Sequence, residues 1–294
     1  MVGQAGQAGQ VGQVGIIGGG LMGSGITEVC ARAGLDTVVV EVDDTASAAA
    51  ERRVRDSLGR AAKRGKLTEE QVAETLGRVT FTTDLGALAD RDLVVEAASE
   101  DEEVKLELFR TVGALLEKAD ALLTSNTSSI PIVKLGAVSG RPDRVMGVHF
   151  FNPAPVMQLV ELIPSLTTST ETLQRMQGFV ADQLGKQPIE ATDRAGFVVN
   201  SLLVPYLLSA IRMYEAGYAS AADIDKGMVL GCGHPMGPLA LSDLIGLDTV
   251  RAIGISMYQE FKEPLYSPPP LLDRMVDAGL LGKKSGQGFY RHDG

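Results

Sequence analysis

Apolar residues along the chain fall into short runs separated by turn residues and stretches of helical spacing. Val14-Gly15-Ile16-Ile17 is continuous and apolar, the pattern of a parallel strand buried on both faces. The glycine-rich segment 18–23 follows. Helical spacing then runs over 24–33 and stops at Gly34, a residue suited to the left-handed turn after a helix. A second apolar run at 37–42 completes a strand–helix–strand unit of about thirty residues.

The pattern repeats downstream. A polar, basic helix is predicted over 46–66, and a short one over 68–76 with Thr68 as N-cap and Gln71 at the capping-box position. Strands are predicted at 93–97, 121–125, 145–149 and 156–163, and helices at 103–116 and 170–184. This alternation implies an α/β Rossmann fold with a doubly wound sheet. Near residue 195 the pattern changes. Residues 197–214 form one long apolar helix, and no convincing strand follows. The expected organisation is a disordered tail over 1–13, a dinucleotide-binding Rossmann domain over 14–196, and an all-α domain over 197–294. The helical domain is too apolar to stand well alone, which implies burial against the first domain and a homodimer partner.

Composition narrows the functional classes. The net charge of −10 argues against nucleic acid as a partner. Two cysteines, with no CxxC, fit a reducing compartment rather than a disulfide framework. Three histidines and no Cys/His cluster give no reason to expect a metal site. His234 lies in a turn and is read as structural, and His292 as exposed. The tail repeats Gly-Gln-Ala and Gly-Gln-Val without a cation cluster or apolar core, so it does not read as a secretory leader. No apolar run reaches the ~18 residues of a membrane span, and a cytoplasmic enzyme is expected.

The strongest local signal is Gly18-Gly19-Gly20-Leu21-Met22-Gly23, a G-x-G-x-x-G string between a strand and a helix. Gly18 permits the tight turn, Gly20 the close approach of a pyrophosphate, and Gly23 close helix–strand packing. Glu41, at the end of the second strand, is placed to accept bonds from the adenine-ribose hydroxyls and to repel a 2′-phosphate. NAD is therefore expected over NADP. Asp43 and Asp44 are rivals for that role.

A nicotinamide-dependent alcohol oxidation needs a base for the hydroxyl proton. His149 ends a strand on the edge where open α/β sheets bind ligands. Glu161, on the next strand between Val160 and Leu162, is a candidate to orient its ring, since an unpaired carboxylate there would be costly.

Several further strings accompany these residues in order. They are Ser125-Asn126-Thr127-Ser128-Ser129, His149-Phe150-Phe151-Asn152-Pro153, Leu159-Val160-Glu161, Gly196-Phe197-Val198-Val199-Asn200 and Pro235-Met236-Gly237-Pro238, with Gly282-Lys283-Lys284-Ser285-Gly286-Gln287-Gly288-Phe289-Tyr290 at the end. Together they resemble the L-3-hydroxyacyl-CoA dehydrogenase family, including the bacterial 3-hydroxybutyryl-CoA dehydrogenases, over 14–290. The resemblance implies a His149–Glu161 pair and substrate-orienting groups at Ser128 and Asn200. Asn200 opens the helical domain, so closing the two domains would complete the site. The resemblance also implies NAD contacts at Glu100, Lys105, Ser128, Asn152 and Lys284, and CoA contacts at Ser57 and Arg64. Arg64 stands where lysine is more usual, and Glu41 where aspartate is commoner.

The implied reaction is reversible oxidation of an L-3-hydroxyacyl-CoA, with a lean toward short acyl chains. Acyl length and pathway direction stay open, and no hydratase or thiolase domain is expected beside the dehydrogenase. Two rivals are a dehydrogenase of a free hydroxy acid such as L-gulonate and a non-catalytic NAD-binding structural protein.

Overall fold

The computed structural model describes residues 10–292, and the chain divides into two compact units, Met1–Asp193 and Arg194–Gly294.

The first unit opens with β1 (Gln13–Ile17), α1 (Leu21–Arg32) and β2 (Asp36–Val40), followed by α2 (Asp44–Lys63), α3 (Glu69–Gly77) and β3 (Val79–Thr82). It continues through β4 (Leu93–Glu96), α4 (Glu102–Leu115), β5 (Leu122–Ser125), α5 (Ile132–Val138) and β6 (Val145–Phe150). It ends with β7 (Leu159–Pro164), α6 (Thr170–Gly178) and β8 (Gln187–Glu190). The eight strands form one sheet in the order β3-β2-β1-β4-β5-β6-β7-β8. Every pair is parallel except β6 and β7. The order reverses between β1 and β4, and the crevice beyond their carboxyl ends is where such sheets bind ligands. The expected Rossmann sheet is therefore present, with one antiparallel hairpin at β6–β7.

Local chemistry explains where the elements begin. Asp43, Asp101 and Ser169 cap α2, α4 and α6 through their side chains. Thr68 and Gln71 form the reciprocal capping box that opens α3. Gly34 takes φ +86° just beyond α1. The central strands are buried on both faces, and Val14, Ile16, Val39, Val95, Leu122 and Met146 share one core.

Three elements go beyond the sequence expectation. Strands β3 and β8 are short and only half-buried, so they carry little apolar signal. Helix α5 has seven residues, and its first amides, Ile132 and Val133, donate to Asp193 at 2.9 Å each. The predicted helix over 170–184 ends as α6 and widens into a π-helical turn, Phe179–Gln183. The first nine residues of the predicted tail lie outside the described residues. Its end belongs to the fold: Val11 is buried and exchanges two hydrogen bonds with Gln183, and Gln13 opens β1.

The second unit contains α7 (Val199–Glu215), α8 (Ala221–Cys232), α9 (Pro238–Ile245), α10 (Leu247–Phe261) and α11 (Pro270–Asp277). Leu207, Leu208, Ile211, Leu239, Val250, Met257 and Leu272 form its core. Asp225 receives the first amides of α9, from Leu239 and Ala240. Buried Asp243 receives the amides of Phe289 and Tyr290. Burial and these two carboxylates push the Tyr290 hydroxyl above its ordinary pKa. Among the described residues no helix is long and apolar enough to cross a membrane.

Candidate active site

The glycine string forms the turn between β1 and α1. Gly18 sits at φ +86°, and a Cβ there would meet Ala97 O and Ala98 N at 2.9 Å. A Cβ on Gly23 would stand 1.7 Å from Gly18 O, so only glycine lets α1 pack this closely on β1. In front of the turn lies a cleft of about 860 Å³, lined among others by Gly18, Gly20, Leu21, Met22 and Glu41. A dinucleotide fits this site on two counts. Nothing stands within 4 Å of the Cβ position at Gly20, so a phosphate can approach its backbone. The Glu41 carboxylate lies on the cleft wall, accepting the Gly19 amide at 2.6 Å. Its rival Asp43 accepts the Ala46 amide instead, at 2.7 Å, and Asp44 is the first residue of α2.

The second group of side chains lies on β5, β6 and β7. In the β6–β7 ladder His149 pairs directly with Glu161. Directly opposed residues of an antiparallel pair project to the same face, with Cβ atoms about 5 Å apart. His149 Nδ1 thus meets Glu161 Oε2 at 2.7 Å, with both residues buried. A carboxylate only accepts, so Nδ1 is the donor of this contact, and in the neutral ring Nε2 is then the nitrogen with the lone pair. Ser128 Oγ, just beyond β5, lies 2.8 Å from that Nε2.

Ser128 is held by a carboxylate of its own. Glu100 Oε1 accepts from the Ser128 amide at 2.9 Å, the Ser129 amide at 3.2 Å and the hydroxyls of Thr127 and Ser129. Burial works against charge on Glu100. The Lys105 ammonium and these donors outweigh it, holding the carboxyl below the ordinary carboxylate range. Lys105 is itself 1% exposed, and its Nζ lies 2.6 Å from Glu96 Oε1 and 3.4 Å from Glu100 Oε2. Glu96, wholly buried at the end of β4, also receives the Ser125 hydroxyl at 2.6 Å and the Ala98 amide at 2.7 Å. Sequence reasoning missed Glu96. The available signal was an acid closing the apolar string Leu-Val-Val, which calls for a buried partner.

The remaining expected residues lie on other elements of the two units. Asn152 is exposed just after β6. Ser57 lies within α2, and Arg64, seven residues on, is the C-cap of that helix. In the second unit, Asn200 lies in the first turn of α7 and Lys284 pairs with Asp248 at 2.5 Å. His292 corrects an expectation. It is not free in solvent, because its Nε2 lies 2.9 Å from Asp243 Oδ2. His234 accompanies Tyr206, 3.1 Å from its hydroxyl.

Comparison with known proteins covers both units. Residues 13–194 match the family model described as 3-hydroxyacyl-CoA dehydrogenase, NAD binding domain, and residues 196–292 match the C-terminal domain of the same family. A 3-hydroxybutyryl-CoA dehydrogenase of Mycobacterium tuberculosis is 55% identical over 94% of this chain and 97% of that protein. The mitochondrial hydroxyacyl-coenzyme A dehydrogenase of Sus scrofa is 41% identical over 94% of this chain and 90% of its own. The crystal structure of (S)-3-hydroxybutyryl-CoA dehydrogenase from Ralstonia eutropha superposes with a TM-score of 0.91 at 44% identity, covering 97% of this chain and 100% of that one.

Proposed function

The chain belongs to the 3-hydroxyacyl-CoA dehydrogenase family, and from that premise we propose that His149 is the general base of its reaction. The reaction is the NAD-dependent, reversible oxidation of an L-3-hydroxyacyl-CoA to the 3-oxoacyl-CoA. One observation carries the assignment of the base: the His149 ring is held between the Glu161 carboxylate at 2.7 Å and the Ser128 hydroxyl at 2.8 Å.

NAD, held by the glycine turn and Glu41, would supply the acceptor for the hydride that leaves C3. Every other task falls to side chains. Glu161 fixes the tautomer and stabilises the imidazolium that forms when Nε2 takes the hydroxyl proton. In the reverse direction the same Nε2–H returns the proton to the 3-oxo oxygen. Ser128 lies beside that nitrogen, so its hydroxyl holds the substrate oxygen as charge changes there. Glu100 keeps Ser128 in place. Asn200 is assigned as a second polar group for the substrate, and Asn152 and Lys284 as cofactor contacts. Ser57 and Arg64 are assigned to the CoA phosphates, since a guanidinium matches a phosphate's geometry. Glu41 selects NAD by rejecting a 2′-phosphate.

The preferred acyl chain is short, in keeping with relatives named for hydroxybutyryl-CoA. The assembly is a homodimer through the helical unit, whose Leu202, Tyr218 and Leu230 are 75%, 81% and 74% exposed. The setting is the cytoplasm. NADH absorbance followed with acetoacetyl-CoA should fall, while NAD with free gulonate should give no rise. A chain that leaves NADH untouched by acetoacetyl-CoA overturns the proposal. A single-chain mass by light scattering overturns the dimer.

A further inference from the structure

We infer that Arg53 is a positioning residue for the cofactor, acting through the backbone of the glycine turn. Its place on α2 follows from packing. A Cβ on Gly19 would stand 2.3 Å from the Cβ of Ala50, so α2 lies directly against this glycine. Arg53 comes three residues after Ala50, on the same face of the helix. From there its Nη1 donates to Gly19 O at 3.1 Å, across thirty-four residues of sequence. Ser24 Oγ donates to the same oxygen at 2.7 Å. On the other side of the residue, the Gly19 amide donates to Glu41 at 2.6 Å.

The consequence lies in the next peptide. In a planar trans peptide the carbonyl of Gly19 and the amide of Gly20 point in opposite directions. Two donors hold the carbonyl toward α1 and α2, so the Gly20 N–H is aimed away from them. Gly20 is the N-cap of α1 and lines the cleft, with nothing within 4 Å of its Cβ position. The N-cap amide, like those of the first turn, has no partner within its own helix, and an anion satisfies it. Arg53 therefore orients the donor that meets the pyrophosphate before any ligand arrives. It also brings a positive charge to the glycine turn.

This role rests on the glycine turn holding NAD, which titration of NADH fluorescence with the wild-type protein tests separately. Arg53→Met should raise the NADH Kd about tenfold, the scale of losing one charged hydrogen bond, while kcat at saturating cofactor changes less than about twofold. Arg53→Lys, which keeps a charged donor, should recover part of the affinity. Arg52→Met removes the same charge from the neighbouring position and should move Kd less than about twofold. Ser24→Ala and Arg53→Met should combine non-additively, because both act on one carbonyl. Equal Kd values for the Arg52 and Arg53 variants would reduce the effect to general electrostatics and overturn the inference. So would a fall in kcat at unchanged Kd.

Discussion

His149 and Glu161 are paired partners of the β6–β7 ladder, so their 2.7 Å contact is set by strand register. A slip of one residue would send the two side chains to opposite faces. The charge of Glu161 and its hydrogen bond can be separated by Glu161→Gln, which keeps the size. That variant should lose about 10²- to 10⁴-fold in kcat, the usual worth of a positioned base, while NADH binds as before. Unchanged kcat would show that the carboxylate is only a packing element.

Glu100 is expected to act through Ser128. Glu100→Gln should lower kcat, and the double variant with Ser128→Ala should be no slower than Ser128→Ala alone. Its stability effect should depend on pH. The folded carboxyl lies below its ordinary value of 4.5, so the charged form's contribution is complete above that value and fades as pH falls through the folded one. The Tm gap between wild type and Glu100→Gln should be flat above about pH 5 and narrow in acid. Asp92 behaves alike: burial opposes its charge, but Lys118 and the Gly12 and Gln13 amides outweigh it.

Glu41→Ala tests cofactor choice. Removing the carboxylate lifts the repulsion toward a 2′-phosphate, so the NADP/NAD ratio of kcat/KM should rise by about tenfold or more. A ratio that stays put would move the selecting group elsewhere.

Lys105 is tested by stability rather than by binding. Lys105→Met leaves the buried Glu96 carboxylate without its cation, which typically costs about 3–5 kcal/mol in urea unfolding. Adding Glu96→Gln should recover part of the loss. A Lys105→Met protein of wild-type stability would refute the buried-pair reading.

The cysteines should differ in reactivity. Burial pushes the Cys30 thiol up to about 12, and Cys232 is exposed. Iodoacetamide at neutral pH should label one thiol in the native protein and two in guanidinium, counted by mass.

The parts legible in the sequence are those whose chemistry is local. The glycine turn, Glu41, the Thr68–Gln71 box and the apolar strands each announce themselves within a few residues. What stayed hidden either depends on residues distant in the chain or carries a muted local signal. Helix α5 is capped by Asp193, which lies some sixty positions away. Strand β8 is half-exposed and contains Pro188, which mutes a strand signal. Lys105 and Glu100 were expected as NAD contacts through family resemblance. The cation was visible in the sequence. Its pairing with Glu96 became visible only with α4 folded onto β4, and the gathering of residues 127–129 around Glu100 only with β4 and β5 side by side.

The antiparallel turn-back of β7 also has a kinetic consequence. His149 and Glu161 are twelve residues apart, joined by one hairpin, whereas β1 and β4 pair across about eighty positions. Closing the short loop costs little chain entropy and proceeds quickly; the long closure is dearer and slower. During folding the acid–base pair can therefore assemble within its own hairpin, ahead of the crevice that receives the cofactor. Insertions in loops outside the β6–β7 hairpin should leave the pair's register untouched, while a single residue added or removed within the hairpin puts it at risk.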